Sequence, residues 1–492
     1  MYKNCAKCHN PNGVAPFSLL TFDVAYRNRE GIKNAVVTRN MPPWSPDPNY
    51  RHFADERVLS NEDIKAIADW VNAGAPQGDP TKAPIPPNFS SGSEIKSPDL
   101  VLKIPTYTVN TTSDLYRCFV LPTNVPQDRY ITEIEVIPGN RKVVHHVLAF
   151  QDATNRPAQF DAADPEPGYT NYGGTGSNAS ELVTGWVPGQ QPIKFPSGMG
   201  IKLTRNTNFV LQIHYPGGIE NQKDSTKIII KFAPAGGSYR ELYNRPVLAH
   251  ASPILTNGPL FIPANQTRTF IEKVIVPTDG SLLSVAPHMH LIGRRIKNYG
   301  LLPSGDTLKL INVPDWDFNW QGAYGFKKII KVPAGTVLVS EAFYDNTKNN
   351  PYNPNNPPKD VALGEGTADE MMLTYLTFMA YKSGDENIVL DTSAIINTVF
   401  EPQKRAQLKM SCFPNPSKNG ATLSFQLVEA TFGNVDIFDL KGIAVKNVVK
   451  AERFLAGENQ VTIPTADLPT GIYLVRFSSE KMYGVERLVR VE

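Results

Sequence analysis

The side chains best suited to chemistry in this sequence are its histidines, of which there are only eight in 492 residues. Five of them stand in three short groups, His145-His146, His214 and His288-Met289-His290. Imidazole is the commonest protein metal ligand, because one ring nitrogen binds the ion while the protein holds the other. This grouping predicts a redox metalloprotein.

Strand geometry decides which of these rings can meet. Alternate residues of a strand point to one face, so His288 and His290 can reach the same ion. Adjacent His145 and His146 face opposite ways on a regular strand, so both can bind one ion only at a strand end or bulge, and we expect them to use different ring nitrogens. His214 ends a strand-like run, which suits the completion of a three-histidine site. Any single histidine is more often a core residue, so the prediction depends on all three groups together.

A second motif, Cys5-X-X-Cys8-His9, has the spacing of covalent haem attachment. Two thioether links and an axial imidazole would hold the haem, and the sixth iron ligand should be a thioether or a second imidazole. We predict Met41, because the proline after it stiffens its loop. His52 is the alternative, and Met41 would then be a core residue.

The elements that must position these side chains are mainly short strands. The sequence has 42 prolines and 35 glycines, which suits strands joined by turns better than long helices. Strand-like runs occur at 130–137, 209–214 and 227–232. The formal net charge of +2 gives no electrostatic reason to expect nucleic-acid or anionic-membrane binding. No apolar run of about 18 residues is present, so no membrane span is predicted.

The predicted fold class is multidomain and mainly β. It comprises a small all-α domain, a linker, two tandem antiparallel β-sandwiches of jelly-roll-like form and a C-terminal immunoglobulin-like β-sandwich, at residues 1–80, 81–98, 99–238, 239–402 and 408–492. In the all-α domain the last helix is predicted to begin after an N-cap at Ser60 and to stop at Gly74.

Two further features bear on the compartment. Cys118 and Cys412 either pair or remain free thiols, and the sequence leaves both alternatives open. Met1 lies just before the haem motif without a signal peptide. Haem is attached to this motif outside the cytoplasm in bacteria, so we expect the true start to lie further upstream.

Residues 99–402 resemble the copper type II ascorbate-dependent monooxygenases, the family of peptidylglycine α-hydroxylating monooxygenase and dopamine β-monooxygenase. The motifs that carry the resemblance are His145-His146-Val147-Leu148, Leu211-Gln212-Ile213-His214-Tyr215, Pro287-His288-Met289-His290 and Asp369-Glu370-Met371-Met372.

The resemblance implies two copper ions. One, for electron transfer, would be held by His145, His146 and His214. The other, where O2 is activated, would be held by His288, His290 and Met371. A thioether beside two imidazoles favours Cu(I), the form that meets oxygen. Met372 is the alternative thioether, and it stands where the family usually has a cysteine.

The same resemblance suggests substrate-side residues. Gln212 matches a glutamine near the coppers, and Tyr375 matches a tyrosine that contacts substrate in the peptide-hydroxylating members. Ordinary strand packing is the alternative for both. The arginine that binds a peptide carboxylate in those members is replaced by Ala286, so peptides with a C-terminal glycine are not expected as substrates.

Both ends of the chain carry resemblances of their own. Residues 1–80 are similar to cytochrome c domains that bacteria fuse to copper monooxygenases, through the haem motif, Val14–Leu20, Met41-Pro42-Pro43-Trp44 and Trp70–Pro76. Residues from about 411 resemble the type IX secretion sorting domain, through Phe413-Pro414-Asn415-Pro416, Asp436–Gly442, Gly471–Val475 and Arg487–Glu492. They imply secretion machinery as a partner and export through the periplasm to the surface or surroundings of a Gram-negative bacterium.

The expected reaction is insertion of one oxygen atom of O2 into an unactivated C–H bond of a small-molecule or peptide-like substrate. The cofactors would be two copper ions and covalent haem c, with an ascorbate-like reductant as electron donor or with the haem supplying the electrons. One alternative is a non-catalytic extracellular copper or haem protein that serves in electron transfer or in binding. Another is zinc hydrolysis at the three histidines His145, His146 and His214.

Overall fold

The computed structural model describes residues 1–11, 13, 15–87, 89, 92–390, 406–439, 444–479 and 482–491. The chain forms two compact units, Met1–Asp391 and Thr392–Glu492. Some parts of the sequence predictions lie outside the described residues: Val14 of the cytochrome-like motif, residues 88, 90 and 91 of the linker, the end of the second predicted sandwich at 391–402, and residues 440–442 and Glu492 of the sorting motif.

The first 80 residues are helical, as the sequence predicts, with α1 Phe22–Arg27, α2 Arg29–Val37 and α3 Asn61–Asn72. Ser60 is the N-cap of α3, and its hydroxyl accepts a hydrogen bond from the backbone N–H of Asp63 at 3.0 Å. Beyond the helix, Gly74 has a φ of +85°, the left-handed conformation in which glycine commonly ends helices. The predicted cap and stop of this helix are both confirmed.

Part of the predicted linker is packed against the first β region. Ser93 Oγ donates a hydrogen bond to Glu135 Oε2 at 2.5 Å, and the Glu94 N–H donates to the same oxygen at 3.1 Å. Ile95 is buried against Ile137 and Ile229. The end of the predicted linker is therefore held against the sheet by two hydrogen bonds and one buried apolar side chain.

The first β region contains antiparallel sheets and a short helix. Its elements are β1 Leu100–Lys103, β2 Tyr107–Thr111, β3 Leu115–Pro122, β4 Arg129–Ile137, β5 His146–Asp152, α4 Arg156–Ala163, β6 Tyr169–Thr170, β7 Glu181–Trp186, β8 Ile193–Lys194, β9 Met199–Leu203, β10 Asn208–Tyr215, β11 Ile219–Asp224, β12 Lys227–Phe232 and β13 Arg240–Glu241. One sheet has the order β1-β12-β4-β9-β13, and another has β6-β3-β10-β5-β7. The three strand-like runs predicted from the sequence correspond to β4, β10 and β12.

Alternation along β10 separates the core from the site. Phe209, Leu211 and Ile213 point into a core that both sheets share. Gln212 and His214 therefore lie on the opposite face. The hydrophobic pattern of this strand fixes where His214 points, because a one-residue slip would bury the imidazole in the core.

The second β region begins when the chain leaves β13. Its strands are β14 Tyr243–Ala249, β15 Phe261–Ile262, β16 Thr267–Ile275, β17 Gly280–His288, β18 Gly293–Leu301, β19 Thr307–Val313, β20 Tyr324–Val332, β21 Val337–Asp345, β22 Val361–Ala362 and β23 Leu373–Ala380. The main sheets have the orders β14-β23-β17-β20 and β16-β21-β18-β19. The chain passes from the first β region to the second between Glu241 and Tyr243, close to the predicted boundary at 238/239.

The helical segment is joined to the second β region. Phe53 forms an antiparallel bridge with Phe326 of β20, and its ring stacks on that of Phe326 at 5.7 Å between centroids. The Ala54 N–H donates to the Gly325 carbonyl at 2.8 Å. Phe53 is only 1% exposed and belongs to the core of that region. The stretch around Phe53 thus packs into the core of the second β region, while the helices keep a small cluster of their own formed by Leu19, Ala25 and Ile32.

The second unit is a separate β structure. Its strands are β24 Ala406–Gln407, β25 Met410–Phe413, β26 Gly420–Leu427, β27 Thr431–Phe438, β28 Ala444–Phe454, β29 Gly457–Pro464, β30 Gly471–Ser479 and β31 Met482–Arg490. They form sheets of order β24-β31-β30-β27-β28 and β25-β26-β29, which share one core. Cys118 and Cys412 are both buried free thiols. Among the described residues, no helix is long and apolar enough to cross a membrane.

Candidate functional site

Three histidines converge at one end of the β3-β10-β5 sheet. His146 opens β5 and is paired with His214 of β10, which is paired in turn with Tyr116 of β3. His145 lies immediately before β5, and its backbone N–H donates to the His214 carbonyl at 3.0 Å. One ligand atom from each of the three imidazoles lies within 4.8 Å of the others. The strand end thus lets two adjacent histidines face one point.

The ring nitrogens of this cluster suit a shared metal ion. Nδ1 of His145 and Nδ1 of His146 are 3.2 Å apart, so both rings present the same nitrogen, where the sequence favoured different ones. His214 is 1% exposed, and neither Nδ1 nor Nε2 of its ring has a hydrogen-bond partner among the described residues. Buried polar atoms normally have a partner, and a metal ion bound by the three Nδ1 atoms would supply one.

Asp114 contacts the three-histidine cluster on the Nε2 side of the His214 ring. Its Oδ1 is 3.2 Å from Nε2 of His214, and its Oδ2 accepts a hydrogen bond from the Thr367 hydroxyl. These contacts lower the pKa of Asp114 to about 2. A carboxylate at the far nitrogen of a histidine fixes its ring and makes it a stronger ligand.

The second group of candidate ligands lies on neighbouring strands of the β14-β23-β17-β20 sheet. His288 ends β17 opposite Leu373 of β23, and Ala286 is paired with Tyr375. Paired residues share a face, so His288 and Tyr375 point the same way. The ring centroids of His288 and His290 are 5.0 Å apart, and the rings are nearly perpendicular.

The ring orientations in this second group leave one nitrogen of each histidine for a ligand. His288 Nδ1 contacts Gln321 Oε1 at 2.5 Å, and His290 Nδ1 contacts the Asp369 carbonyl oxygen at 3.2 Å. Because both partners are acceptors, each Nδ1 carries the proton and each Nε2 is the free ligand atom. These residues fit a metal ion bound through Nε2.

Glu370 holds the two ligand segments together. It is fully buried, and its carboxylate accepts hydrogen bonds from the backbone N–H groups of His290, Ile292, Gly293 and Met371, at 2.8–3.2 Å. Burial raises its pKa to about 8, although the four N–H groups act in the opposite direction. The segment of His290 and the segment of Met371 are thus tied to one side chain.

The two neighbouring methionines have different surroundings. Met372 is fully buried in the hydrophobic core of the second β region. Met371 is outside that core, and its carbonyl accepts a hydrogen bond from the Tyr344 hydroxyl at 2.7 Å. The sequence left both methionines open as the thioether ligand, and this difference in packing favours Met371.

The imidazoles of His145, His146, His288 and His290 are neutral at neutral pH when no metal is bound. Burial lowers the pKa of His145 to about 4, that of His288 to about 3 and that of His290 to about 4. The pKa of His146 is lowered well below its usual value for the same reason. Neutral imidazole is the form that binds a metal ion, so no proton needs to be displaced at pH 7.

The two predicted substrate-side residues differ in their contacts. Gln212 lies on the face of His214, but its amide nitrogen donates to the carbonyls of Asn171 and Gly174, at 3.0 and 2.6 Å. It holds a loop beside the three-histidine cluster. Tyr375 shares the face of His288, and burial raises the pKa of its hydroxyl to about 12. It is therefore neutral and able to donate a hydrogen bond at neutral pH.

The helical segment holds both the cysteine-histidine motif and a cavity, but Cys5, Cys8 and His9 are not among the residues that line the cavity. His9 Nδ1 contacts the Phe17 carbonyl oxygen at 3.0 Å, which leaves Nε2 as a ligand atom. Cys5 and Cys8 are free thiols. A cavity of about 530 Å³ is lined by Met41, Trp44, Arg57, Leu59 and Ile64 among others. This volume lies within the usual range of small-molecule and cofactor pockets.

Gly189 lies near both Cys8 and Arg57, one of the residues that line the cavity. A Cβ added at Gly189 would lie 3.5 Å from Arg57 Nη1 and 3.7 Å from Cys8 Sγ, so these two atoms are no farther apart than the two distances together. His52 is a poorer candidate than Met41 for an iron ligand, since its side chain is 63% exposed and its Nδ1 contacts Glu56 at 3.0 Å.

Sequence reasoning missed the residues that support the ligands. These are Asp114, Gln321, Glu370 and Phe318, whose ring contacts histidines of both groups. Only Glu370 carried a signal, since it stands within the motif Asp369-Glu370-Met371-Met372. The others act across long separations along the chain, which no local pattern reveals.

Comparisons with known proteins assign three segments of the chain. Residues 100–222 match the family model of the copper type II ascorbate-dependent monooxygenase N-terminal domain, and residues 263–394 match that of the C-terminal domain. Together these matches cover just over half of the chain. Residues 411–491 match the secretion system C-terminal sorting domain, which indicates secretion to the cell surface or the extracellular space.

Other comparisons add no functional argument. No curated protein matches the chain. Among solved structures it is similar to a Faecalibacterium prausnitzii beta-glucuronidase, with 13% identity over 46% of this chain and 37% of that one and a TM-score of 0.14. A Ruminococcus gnavus beta-glucuronidase gives 11% identity over 50% and 39%, with a TM-score of 0.12. The chain thus spans well under two thirds of these proteins, and the TM-scores are too low to support a shared fold.

Proposed function

Because this chain belongs to the copper type II ascorbate-dependent monooxygenase family, we propose that it hydroxylates an unactivated C–H bond with O2. The observation that carries the proposal is the convergence of His145, His146 and His214, whose ligand atoms lie within 4.8 Å of one another. The perpendicular pair His288 and His290 supports a second ion.

Two metal sites are inferred from the ring orientations. His145, His146 and His214 would hold the electron-transfer copper through Nδ1. The second copper would be held by Nε2 of His288 and of His290, with the sulfur of Met371. When bound, copper supplies the redox chemistry by which substrate C–H, O2, two electrons and two protons become C–OH and water.

The protein's own groups orient the ligands and the substrate. Asp114 and Gln321 fix the rings of His214 and His288, so that each presents one nitrogen. The neutral hydroxyl of Tyr375 is suited to donate a hydrogen bond to a substrate on the face of His288. Ala286 is paired with Tyr375 and offers no cation, which supports a substrate without a carboxylate at this point.

We further propose that residues 1–80 carry haem c as an electron donor. Cys5 and Cys8 would form the thioether links, with His9 and Met41 as axial ligands. A contact near the cavity supports electron transfer from the haem to the copper sites. The hydroxyl of Ser45, which follows the cavity-lining Trp44, lies 3.5 Å from the Trp320 carbonyl oxygen. Trp320 belongs to the same short helical turn as Phe318.

Metal analysis with oxygen uptake tests the main proposal. The copper-loaded full chain should consume O2 with ascorbate, whereas His214→Ala and His288→Ala should each lose one copper and most of the uptake. The copper-free chain is the control for ascorbate oxidation by free metal. Stoichiometric zinc in place of copper would favour hydrolysis, and copper binding without O2 uptake would favour a non-catalytic electron-transfer protein.

The haem proposal has its own test. The absorption of reduced haem should decay on mixing with O2 only when copper is bound, and Cys8→Ala should lose covalent haem while keeping copper. Decay at the same rate in the copper-free chain would remove the haem from the proposed electron supply.

A further inference from the structure

Phe318 lies between the two histidine groups. Its ring is stacked on His145, with centroids 5.2 Å apart and planes at 17°. On the other side it meets His290 edge-on, with centroids 5.8 Å apart and planes at 86°. One side chain therefore contacts a candidate ligand of each metal, and the two imidazoles are no farther apart than these distances together.

The backbone around Phe318 is held in place from both ends. Phe318–Trp320 is a turn of 3-10 helix, and the Asp317 carboxylate caps it by accepting the Asn319 N–H at 2.9 Å. Gln321 Nε2 donates to the Phe318 carbonyl at 2.9 Å, while Oε1 of the same side chain contacts His288. The segment that carries the ring is thus the segment that orients His288.

We propose that Phe318 is the electron-transfer contact between the two metal sites. The inference rests on the proposed function, which needs electrons to pass between them. One electron would leave the metal at His145, oxidising it by one unit, and reduce the metal at His290 by one unit, with no bond broken and no proton moved. An aromatic ring in contact with both imidazoles fills part of the space between them and so shortens the path through space that the electron would take.

The aromatic ring itself, as opposed to the volume it fills, distinguishes a role in electron transfer from a role in packing. A ring that only filled space would tolerate an aliphatic side chain of similar size, because swaps that conserve volume usually cost under about 1.5 kcal/mol. An electron-transfer contact would not tolerate it, because the aliphatic side chain removes the π-system that touches both imidazoles.

The test monitors the Cu(II) signal by electron paramagnetic resonance in copper-loaded full chains, frozen at intervals after mixing with ascorbate. In the wild type both coppers should be reduced together. In Phe318→Leu, one half of the signal should disappear at the wild-type rate and the other half should lag behind it. Phe318→Met is a second variant without a ring. Phe343→Leu, on β21, is the matched control and should behave as the wild type.

The possible results separate the two proposals. If the wild type bound no copper, the proposed function would fall, and this inference with it. A second case is that the wild type binds two copper ions and that a variant without the ring also keeps both. If the Cu(II) signal of that variant then disappeared in one phase at the wild-type rate, only the role of Phe318 would be overturned. Loss of a copper from both variants would also overturn it, since Phe318 would then be a determinant of metal binding.

Discussion

At the scale of single residues, the site depends on what holds the second nitrogen of each imidazole. Asp114, Gln321 and the Asp369 carbonyl each contact the ring nitrogen that faces away from the candidate metal. These contacts select which ring nitrogen can bind a metal ion.

Asp114 gives the first prediction at this scale. Asp114→Asn should weaken copper binding at the three-histidine site by roughly 10- to 100-fold, the usual effect of losing such a partner. A copper titration with a competing chelator measures it. Asp315→Asn, at a side chain that is 82% exposed, is the control. Equal affinities in the two variants would mean that Asp114 does not support His214.

Met371 and Met372 form a matched pair for a second prediction. Met371→Leu should lose one copper per chain with little change in the free energy of unfolding. Met372→Leu should keep both coppers and cost less than about 1.5 kcal/mol, since it conserves volume in a core. Copper analysis and urea unfolding of both variants check this. Copper loss in Met372→Leu alone would exchange the roles of the two residues.

At the scale of elements, strand pairing places three buried polar side chains in a row across one sheet of the second β region. Glu272, Ser340 and Asn298 are paired across β16, β21 and β18. Neither oxygen of Glu272 has a hydrogen-bond partner within the described part of the chain, and the residue is fully buried. Burial raises the pKa of Glu272 to about 8, so it is mostly protonated at neutral pH.

This buried carboxyl predicts a pH-dependent stability. In the unfolded chain Glu272 loses its proton near its ordinary pKa, so its contribution favours folding at low pH and is lost as the pH rises from about 4.5 to 8. Glu272→Gln should flatten this part of the profile and stabilise the first unit above pH 8. Urea unfolding across pH measures the effect, with the exposed Glu220→Gln as control. An unchanged slope in Glu272→Gln would contradict the assignment.

Local patterns predicted much of this element-scale structure. The apolar spacing and cap of α3, the alternation of β10 and the two-residue spacing of His288 and His290 are all readable from neighbouring residues. The contacts of Asp114 with Thr367 and of Phe318 with His145 are not, because they join residues far apart in the chain. Periodicity reports which face a side chain occupies, and not what lies opposite it.

At the scale of the whole molecule, the main finding is that the helical segment is joined to the second β region. The sequence predicts a separate domain up to residue 80, because the helical periodicity of that segment differs from the strand-like pattern of residues 99–402. The apolar side chains of Trp44 and Phe53 carry the connection to Tyr324 and Phe326. This contact brings the cavity beside Met41 close to the turn of Phe318–Trp320.

Phe53 tests this connection. Phe53→Ala should cost about 3–5 kcal/mol, the usual cost of removing a buried ring. It should also expose residues 1–80 to limited proteolysis. Urea unfolding measures the cost, and Phe261→Ala, at a side chain that is 42% exposed, is the control. Equal small losses in both variants would show that the helical segment is not held by this core.

Elemental analysis of the purified full chain tests the central claim most directly. Two copper ions are expected per wild-type chain, and one in each of the variants His214→Ala and His288→Ala. Zinc at stoichiometry without copper, or a single ion lost from both variants alike, would contradict it.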